Sequence, residues 1–180
     1  VFVFYSSLLM FYAKVNPLNF FKSIAPAHLL AFSTSSSAAT LPVTMECVTE
    51  KVGVDEEVSS FVLPLGATVN MDGTSLYQAV AAIFIAQAML PVPLDLQTQL
   101  MIVVTATLAS IGSAAVPSAG MVMLVIVLGQ AGIPEAGLAL IFAIDRPLDM
   151  CRTVVNVTSD CTIATIVAKS VGKLKTPENF

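Results

Sequence analysis

The sequence predicts an all-α integral membrane protein made of discontinuous transmembrane helices with two re-entrant helical hairpins. Apolar residues make up 56% of the 180 and charged residues only 11%, whereas a water-facing surface ordinarily carries about 25% charge. The charges are also unevenly placed. Lys22 and Glu46, Asp72 and Asp95, and Asp95 and Glu135 bracket charge-free runs, each long enough to enter or span a bilayer as helix. Ser-, Gly- and Pro-rich islands then interrupt three apolar segments near their midpoints. Non-helical backbone survives at bilayer depth only inside protein or against a water-filled cavity, because hydrocarbon offers its N–H and C=O groups no partner.

The elements follow in order. Val1–Ala13 is apolar from its first residue, with no initiator Met and no signal-peptide layout. It reads as a helix cut mid-span, and the 180 residues as a C-terminal fragment. Lys14-Val-Asn-Pro17 is a polar break. Ser23–Val48 is interrupted by Ser33-Thr-Ser-Ser-Ser37 and Pro42, and Glu46–Glu57 is the charged, water-accessible stretch. Val58–Met89 contains Pro64, Gly66 and the polar island Asn70-Met-Asp-Gly-Thr74. Leu100–Leu128 is broken at Gly112–Gly120, and Leu138–Ala168 precedes a polar tail. The breaks around Ser35 and Val116 read as the turns of two hairpins, each followed by a helix bearing polar residues. Broken segments in matching positions of two halves point to a transporter site between inverted repeats. Close packing of small residues does not account for Pro beside Ser clusters at several midpoints.

The last helix carries the sharpest pattern. Asp145, Asp149, Arg152, Thr153, Asn156 and Asp160 fall within roughly a 100° arc of one helical face. Charges at bilayer depth are costly unless paired or solvated, so such a cluster implies function. Pairing of Asp149 with Arg152 at i,i+3 accounts for two of the six and leaves Asp145, Asn156 and Asp160 unexplained. Arg152 suits a carboxylate gripped by two parallel N–H···O bonds, and Asp149 suits an ammonium. Asp160 and Asn156 are hard oxygen ligands of the kind that hold small cations. In Asn70–Thr74, Gly73 permits an unwound turn, and Asn70, Asp72 and Thr74 add side-chain oxygen suited to sodium. The turns near Ser35 and Val116 offer backbone N–H groups at half-helix N-termini, where an anion is favoured.

Other chemistries find little support. A net charge of −4 and the lack of a basic run argue against nucleic acid. Cys47, Cys151 and Cys161 show no metal or disulfide spacing. His28, the only histidine, leaves a metal site short of ligands and an intramembrane serine hydrolase short of a base.

Four ordered stretches resemble signatures of the glutamate/aspartate transporter family, the dicarboxylate/amino acid:cation symporters: Ser33–Pro42, Leu63–Thr74, Ala109–Pro117 and Asp149–Asp160. The resemblance implies residues 1–22 as the end of a scaffold helix with its loop, 23–168 as a transport domain, and 169–180 as a polar tail. Within the transport domain lie hairpin 1 (about 23–48), a broken helix (about 58–89), hairpin 2 (about 98–128) and a last helix (about 138–168). It also implies a non-enzymatic, multi-pass plasma-membrane symporter, a homotrimer moving as an elevator with hairpin 2 as gate. Sodium is the coupling ion and no organic cofactor is expected.

For substrate, the resemblance implies Ser37, Thr74, backbone at Val116 and Gly120, Asp149 for the amino group, Arg152 for the side-chain carboxylate, and Thr153 and Asn156. For sodium, it implies carbonyls of Gly66 and Asn156 with Asp160; carbonyls of Thr68, Ser110, Ile111 and Ser113; and Asn70 with Asp72, whose further ligands lie upstream. Relatives that move dicarboxylates lack the acid at the Asp149 position, and those that move neutral amino acids lack the Arg152 guanidinium. Both are present, which favours aspartate or glutamate over a C4-dicarboxylate. The family's usual arginine beside the site is replaced by Ser35 and Met150, and Ser159 and Ala115 stand where glycine is common.

Overall fold

Local chemistry sets where each helix begins and ends. The computed structural model describes residues 1–175; the end of the expected polar tail, 176–180, lies outside the described residues. Helix α1 (Phe2–Leu8) runs on as a widened turn, Leu9–Ala13, until Lys14 turns left-handed at φ 56°. Asn16 then caps α2 (Pro17–Ser23), its side chain accepting the Leu18 N–H at 2.9 Å with Pro17 in the first position. Helix α3 (Ala25–Thr34) stops at left-handed Ser35, φ 53°, and Ser36 caps α4 (Ser37–Glu46) by accepting from the Ala39 N–H. The expected break thus becomes a tight turn, and α3 packs back on α4.

A widened turn, Cys47–Val52, ends at Gly53 with φ 88°, a conformation that favours glycine. Asp55 caps α5 (Glu56–Val69), and two non-helical residues, Asn70 and Met71, separate it from α6 (Asp72–Met89). Asp95 caps α7 (Leu96–Ile111), the segment 112–118 forms the second turn, and α8 (Ala119–Gln130) returns along α7. A short 3₁₀ turn, Glu135–Leu138, and α9 (Ala139–Phe142) lead into α10 (Asp145–Ser170). The sequence expectation had one helix from about 138. Instead it divides at Ala143–Ile144, and Pro147 takes the third position of α10, where its missing N–H costs nothing because first-turn N–H groups have no intrahelical acceptor. The regular elements are all helical among the described residues; an isolated antiparallel bridge joins Val54 to Leu174.

Two apolar clusters flank α10. One gathers Leu9, Ala13, Phe20, Ile24, Val48 and Leu63 against Val157, Cys161, Ala164 and Ala168 of α10. The other joins α6, α7 and α8 through Ile85, Ile102, Leu124 and Leu128, with Ile141. The residues before Pro17 therefore share the core of α10 rather than standing apart from it. Between the clusters, α10 buries Asp149, Arg152, Asn156 and Asp160, while large apolar residues such as Val3, Phe11, Leu29, Phe61 and Phe142 lie exposed. Apolar cores are thus combined with a buried polar face and a largely apolar exterior. Among the described residues no helix is long and apolar enough to cross a membrane. The turns at Ser35–Ser36 and 112–118 cut two of the charge-free runs into shorter helices, the 18-residue α6 opens on polar Asp72-Gly-Thr-Ser75, and the 26-residue α10 carries its polar face.

Candidate functional site

The polar face of α10 faces the two turns and the α5–α6 break. Asp149 and Arg152, one turn apart and both buried, form an ion pair with Oδ1 and Nη2 at 2.5 Å. The other oxygen of Asp149 accepts the Ser118 N–H from the second turn at 2.8 Å, and Arg146 Nη1 stands 3.9 Å away with its side chain half exposed. The pairing that the sequence offered as an alternative is therefore present. It leaves the other four residues of the face with separate partners.

Arg152 lies over the Tyr77 ring, 4.4 Å from its centre, a cation–π arrangement. Tyr77 in turn donates to Asp145 at 2.8 Å. Gly120 presses on the other side of the guanidinium, for a Cβ there would sit 2.4 Å from Nη1. Held this way, Nη1 is buried without a hydrogen-bond acceptor. An unpaired buried donor on a cation is costly, so the site retains capacity for an anionic oxygen.

Thr153 donates back to the Asp149 carbonyl at 2.9 Å. Asn156 accepts from the Gly73 and Thr74 N–H groups at 2.8 and 3.3 Å and donates to Thr74 Oγ1 at 3.1 Å. Its side chain thereby caps the exposed N–H groups of α6. Gly73 itself is helical. The unwound residues are Asn70 and Met71, and glycine is required at 73 because a Cβ would meet the Arg152 carbonyl at 2.4 Å.

Ser37, Thr74, Val116, Gly120, Asp149, Arg152, Thr153 and Asn156 line one small cavity of about 20 Å³, together with Ser35 and Ser113. That volume holds about one water, so the cavity has no room for an amino acid as it stands. Its roof is the meeting of the two turns, where Ser36 Oγ and the Ala38 N–H both donate to the Ala115 carbonyl. Ser35 Oγ and Ser113 Oγ are buried without partners. A larger hollow of about 450 Å³ between α6 and α10 is lined by Leu76, Val80, Phe84, Ile144 and Leu148. It is almost wholly apolar and shares only Arg152 with the small cavity, so it lacks the polar groups that orient a charged ligand.

The residues expected to hold cations are distributed unevenly. Gly66 abuts Asp160, where a Cβ would lie 2.6 Å from Oδ1, and Asn70 donates to the same oxygen at 3.2 Å. Asp72 accepts from Tyr5 and Ser159, both at 2.6 Å. Ser110 accepts the Ser113 N–H at 3.1 Å, whereas the side chains of Thr68 and Ile111 are exposed, Thr68 Oγ1 turning back to the Leu65 carbonyl. No group of three His, Cys, Asp or Glu residues among the described residues is placed to hold a metal. Mixed carboxylate, amide and carbonyl oxygens remain, a donor set fitting a hard monovalent cation better than zinc. Sequence reading missed Tyr5 and Tyr77, and it marked Ser159 only as standing where glycine is common. Tyr77 was within reach, since it falls one turn after Thr74 on the same helical face; Tyr5, 67 residues from its partner, was not.

A family model for the sodium:dicarboxylate symporter family matches residues 1–170. The chain is 50% identical over 161 residues to human excitatory amino acid transporter 5, covering 89% of this chain and 29% of the relative. It is 49% identical over 154 residues to human excitatory amino acid transporter 2 (86% and 27%). To rabbit excitatory amino acid transporter 3 it is 52% identical over 156 residues (87% and 30%). The chain thus spans under a third of the length of these relatives. With the matched residues taking in both turns, the α5–α6 break and the polar face of α10, the chain belongs to the sodium:dicarboxylate symporter family.

Proposed function

We propose that the chain is the substrate-binding part of a sodium-coupled symporter of acidic amino acids, aspartate or glutamate. The observation that carries this reading is the buried Asp149–Arg152 pair at a small polar cavity, with Arg152 Nη1 lacking an acceptor. An acidic amino acid brings a side-chain carboxylate and an ammonium, and exchanges partners with that pair one for one. Arg152 takes the carboxylate, Asp149 the ammonium, and no buried charge is left alone. The remaining α-carboxylate meets backbone N–H groups at the turns and brings one net negative charge, which an accompanying cation offsets. The printed names of the relatives, excitatory amino acid transporters, support the same substrate class.

In this reading Ser37, Thr74, Val116, Gly120, Thr153 and Asn156 complete the substrate site. Sodium occupies Gly66, Asn156 and Asp160; Thr68, Ser110, Ile111 and Ser113; and Asn70 with Asp72. Residues 23–168 act as a transport domain whose hairpins, α3–α4 and α7–α8, are re-entrant in the plasma membrane. Residues 1–22, expected as the end of a scaffold helix and its loop, pack on the last helix of that domain; the protein is multi-pass and trimeric, and movement is of the elevator type. The protein moves its ligand without covalent chemistry.

Full-length protein in liposomes is expected to accumulate labelled aspartate only under an inward sodium gradient, and Arg152→Ala to abolish that uptake. Accumulation independent of the gradient, or unchanged in Arg152→Ala, overturns the proposal. A second reading, a C4-dicarboxylate symporter, takes support from the family's description. A dicarboxylate leaves Asp149 without an ammonium, so Asp149→Ser is expected to raise succinate uptake relative to aspartate.

A further inference from the structure

Ser159 occupies an unusual position on α10. Its side chain is fully buried beside Asp160. Its hydroxyl donates to Asp72 Oδ2 at 2.6 Å and accepts from Asn70 Nδ2 at 2.8 Å. The same Asn70 nitrogen donates to Asp160 Oδ1 at 3.2 Å. One hydroxyl thus ties two groups, at the α5–α6 break and the start of α6, to the middle of α10.

The orientation of Asn70 follows from this arrangement. The amide nitrogen faces Asp160 Oδ1 with one proton, and Ser159 Oγ takes its second. The amide oxygen is therefore turned away, free of both partners. Asp72 is held in the same manner: Tyr5 and Ser159 both bond Oδ2, and Oδ1 is left over. Two hard oxygens, one from Asn70 and one from Asp72, are fixed before any cation arrives. Fixing ligands in advance removes part of the ordering cost of binding.

We propose that Ser159 is a positioning residue for the cation site of Asn70 and Asp72, and that it links that site to the one at Asp160. Without the hydroxyl, the Asp72 carboxylate rotates more freely and Asn70 keeps only its bond to Asp160. A cation at Asp160 then no longer orders the oxygens that receive the next. The proposal rests on the sodium-coupled reading above.

The test uses full-length protein in liposomes. Sodium dependence of aspartate uptake is measured at saturating aspartate, and aspartate dependence at saturating sodium, in wild type, Ser159→Ala and Ser159→Thr. In Ser159→Ala the half-saturating sodium concentration is expected to rise roughly three- to tenfold, the range set by the net worth of one ordinary hydrogen bond. The sodium Hill coefficient falls, the aspartate half-saturation stays in place, and Ser159→Thr, which keeps the hydroxyl, restores the wild-type curve. Ser159→Gly makes the same comparison if Ser159→Ala does not fold. A sodium curve that superposes on wild type overturns the proposal, as does an equal shift in the Ala and Thr variants, which would reflect packing alone. If wild type itself takes up aspartate without sodium, the sodium-coupled reading falls and this proposal with it; an unaltered variant in a sodium-driven wild type removes this proposal only.

Discussion

Replacing Arg152 by Met keeps most of the side-chain volume and removes the charge. Asp149 would then be buried with one backbone N–H from Ser118 and a half-exposed Arg146 at 3.9 Å. Removing one partner of a buried ion pair costs about 3–5 kcal/mol. Arg146, largely in solvent, recovers at most the ~1 kcal/mol of a surface pair, leaving a loss of about 2–4 kcal/mol. Loss of the stacking on Tyr77 is contained in that figure. Asp149→Asn in the same background removes the stranded charge, so the double variant is expected to be more stable than Arg152→Met alone by about 2 kcal/mol. The assay is a double-mutant cycle on thermal unfolding of detergent-purified full-length protein, with aspartate uptake measured in parallel. Stability should recover in the double variant while transport does not. A coupling below about 0.5 kcal/mol, the level of independent sites, would refute the claim that the two charges hold each other.

Gly73→Ala places a Cβ 2.4 Å from the Arg152 carbonyl, a backbone atom that no rotamer change can clear. Destabilisation of about 1–3 kcal/mol is expected, opposite in sign to the gain of up to about 1 kcal/mol from the same change in an open helix; a raised unfolding temperature would contradict the packing described. Tyr77→Phe keeps the ring beneath Arg152 and removes only the hydrogen bond to Asp145, so aspartate uptake should persist, whereas Tyr77→Leu should lower it; equal uptake in the two would dismiss the stacking. Asp95, at the head of α7, accepts from the hydroxyl and N–H of Thr98, which holds its carboxyl below the ordinary carboxylate range. Its contribution is therefore complete above that range and lost as pH falls through its own lowered value. Amide exchange in the first turn of α7 should quicken on acidification more than intrinsic rates require, and Asp95→Asn should erase that pH dependence.

How far the sequence revealed the molecule depends on the range of each interaction. The turn at Ser35–Ser36 and the break at Asn70–Met71 were legible because helix ends are decided locally, by a capping serine or by a polar island in an apolar run. The α10 face was legible from periodicity alone. What Arg152 does in the small cavity was not, because a guanidinium that suits a ligand's carboxylate equally suits its own neighbour one turn back. Gly73 shows the same limit. Its need for glycine comes from the approach of α10, about 80 positions away, and local reading assigned it instead to an unwound turn. The start of α10 was misplaced because Leu138–Phe142 is apolar and helix-forming, which outweighed Asp145 and Pro147, the two first-turn residues that mark the later start.

The junction at Ala115 has a mechanical consequence. Two donors, Ser36 Oγ and the Ala38 N–H, converge on a single oxygen, and no interlocked apolar side chain joins the tips through that atom. Parting them trades two weak polar links for hydration, an exchange close to thermoneutral. Elsewhere, separating helices would expose tightly fitted methyl groups at a cost that grows with area. The seam above the cavity is thus held by polar links that water can replace, and parting it leaves a carbonyl and a hydroxyl ready to be wetted.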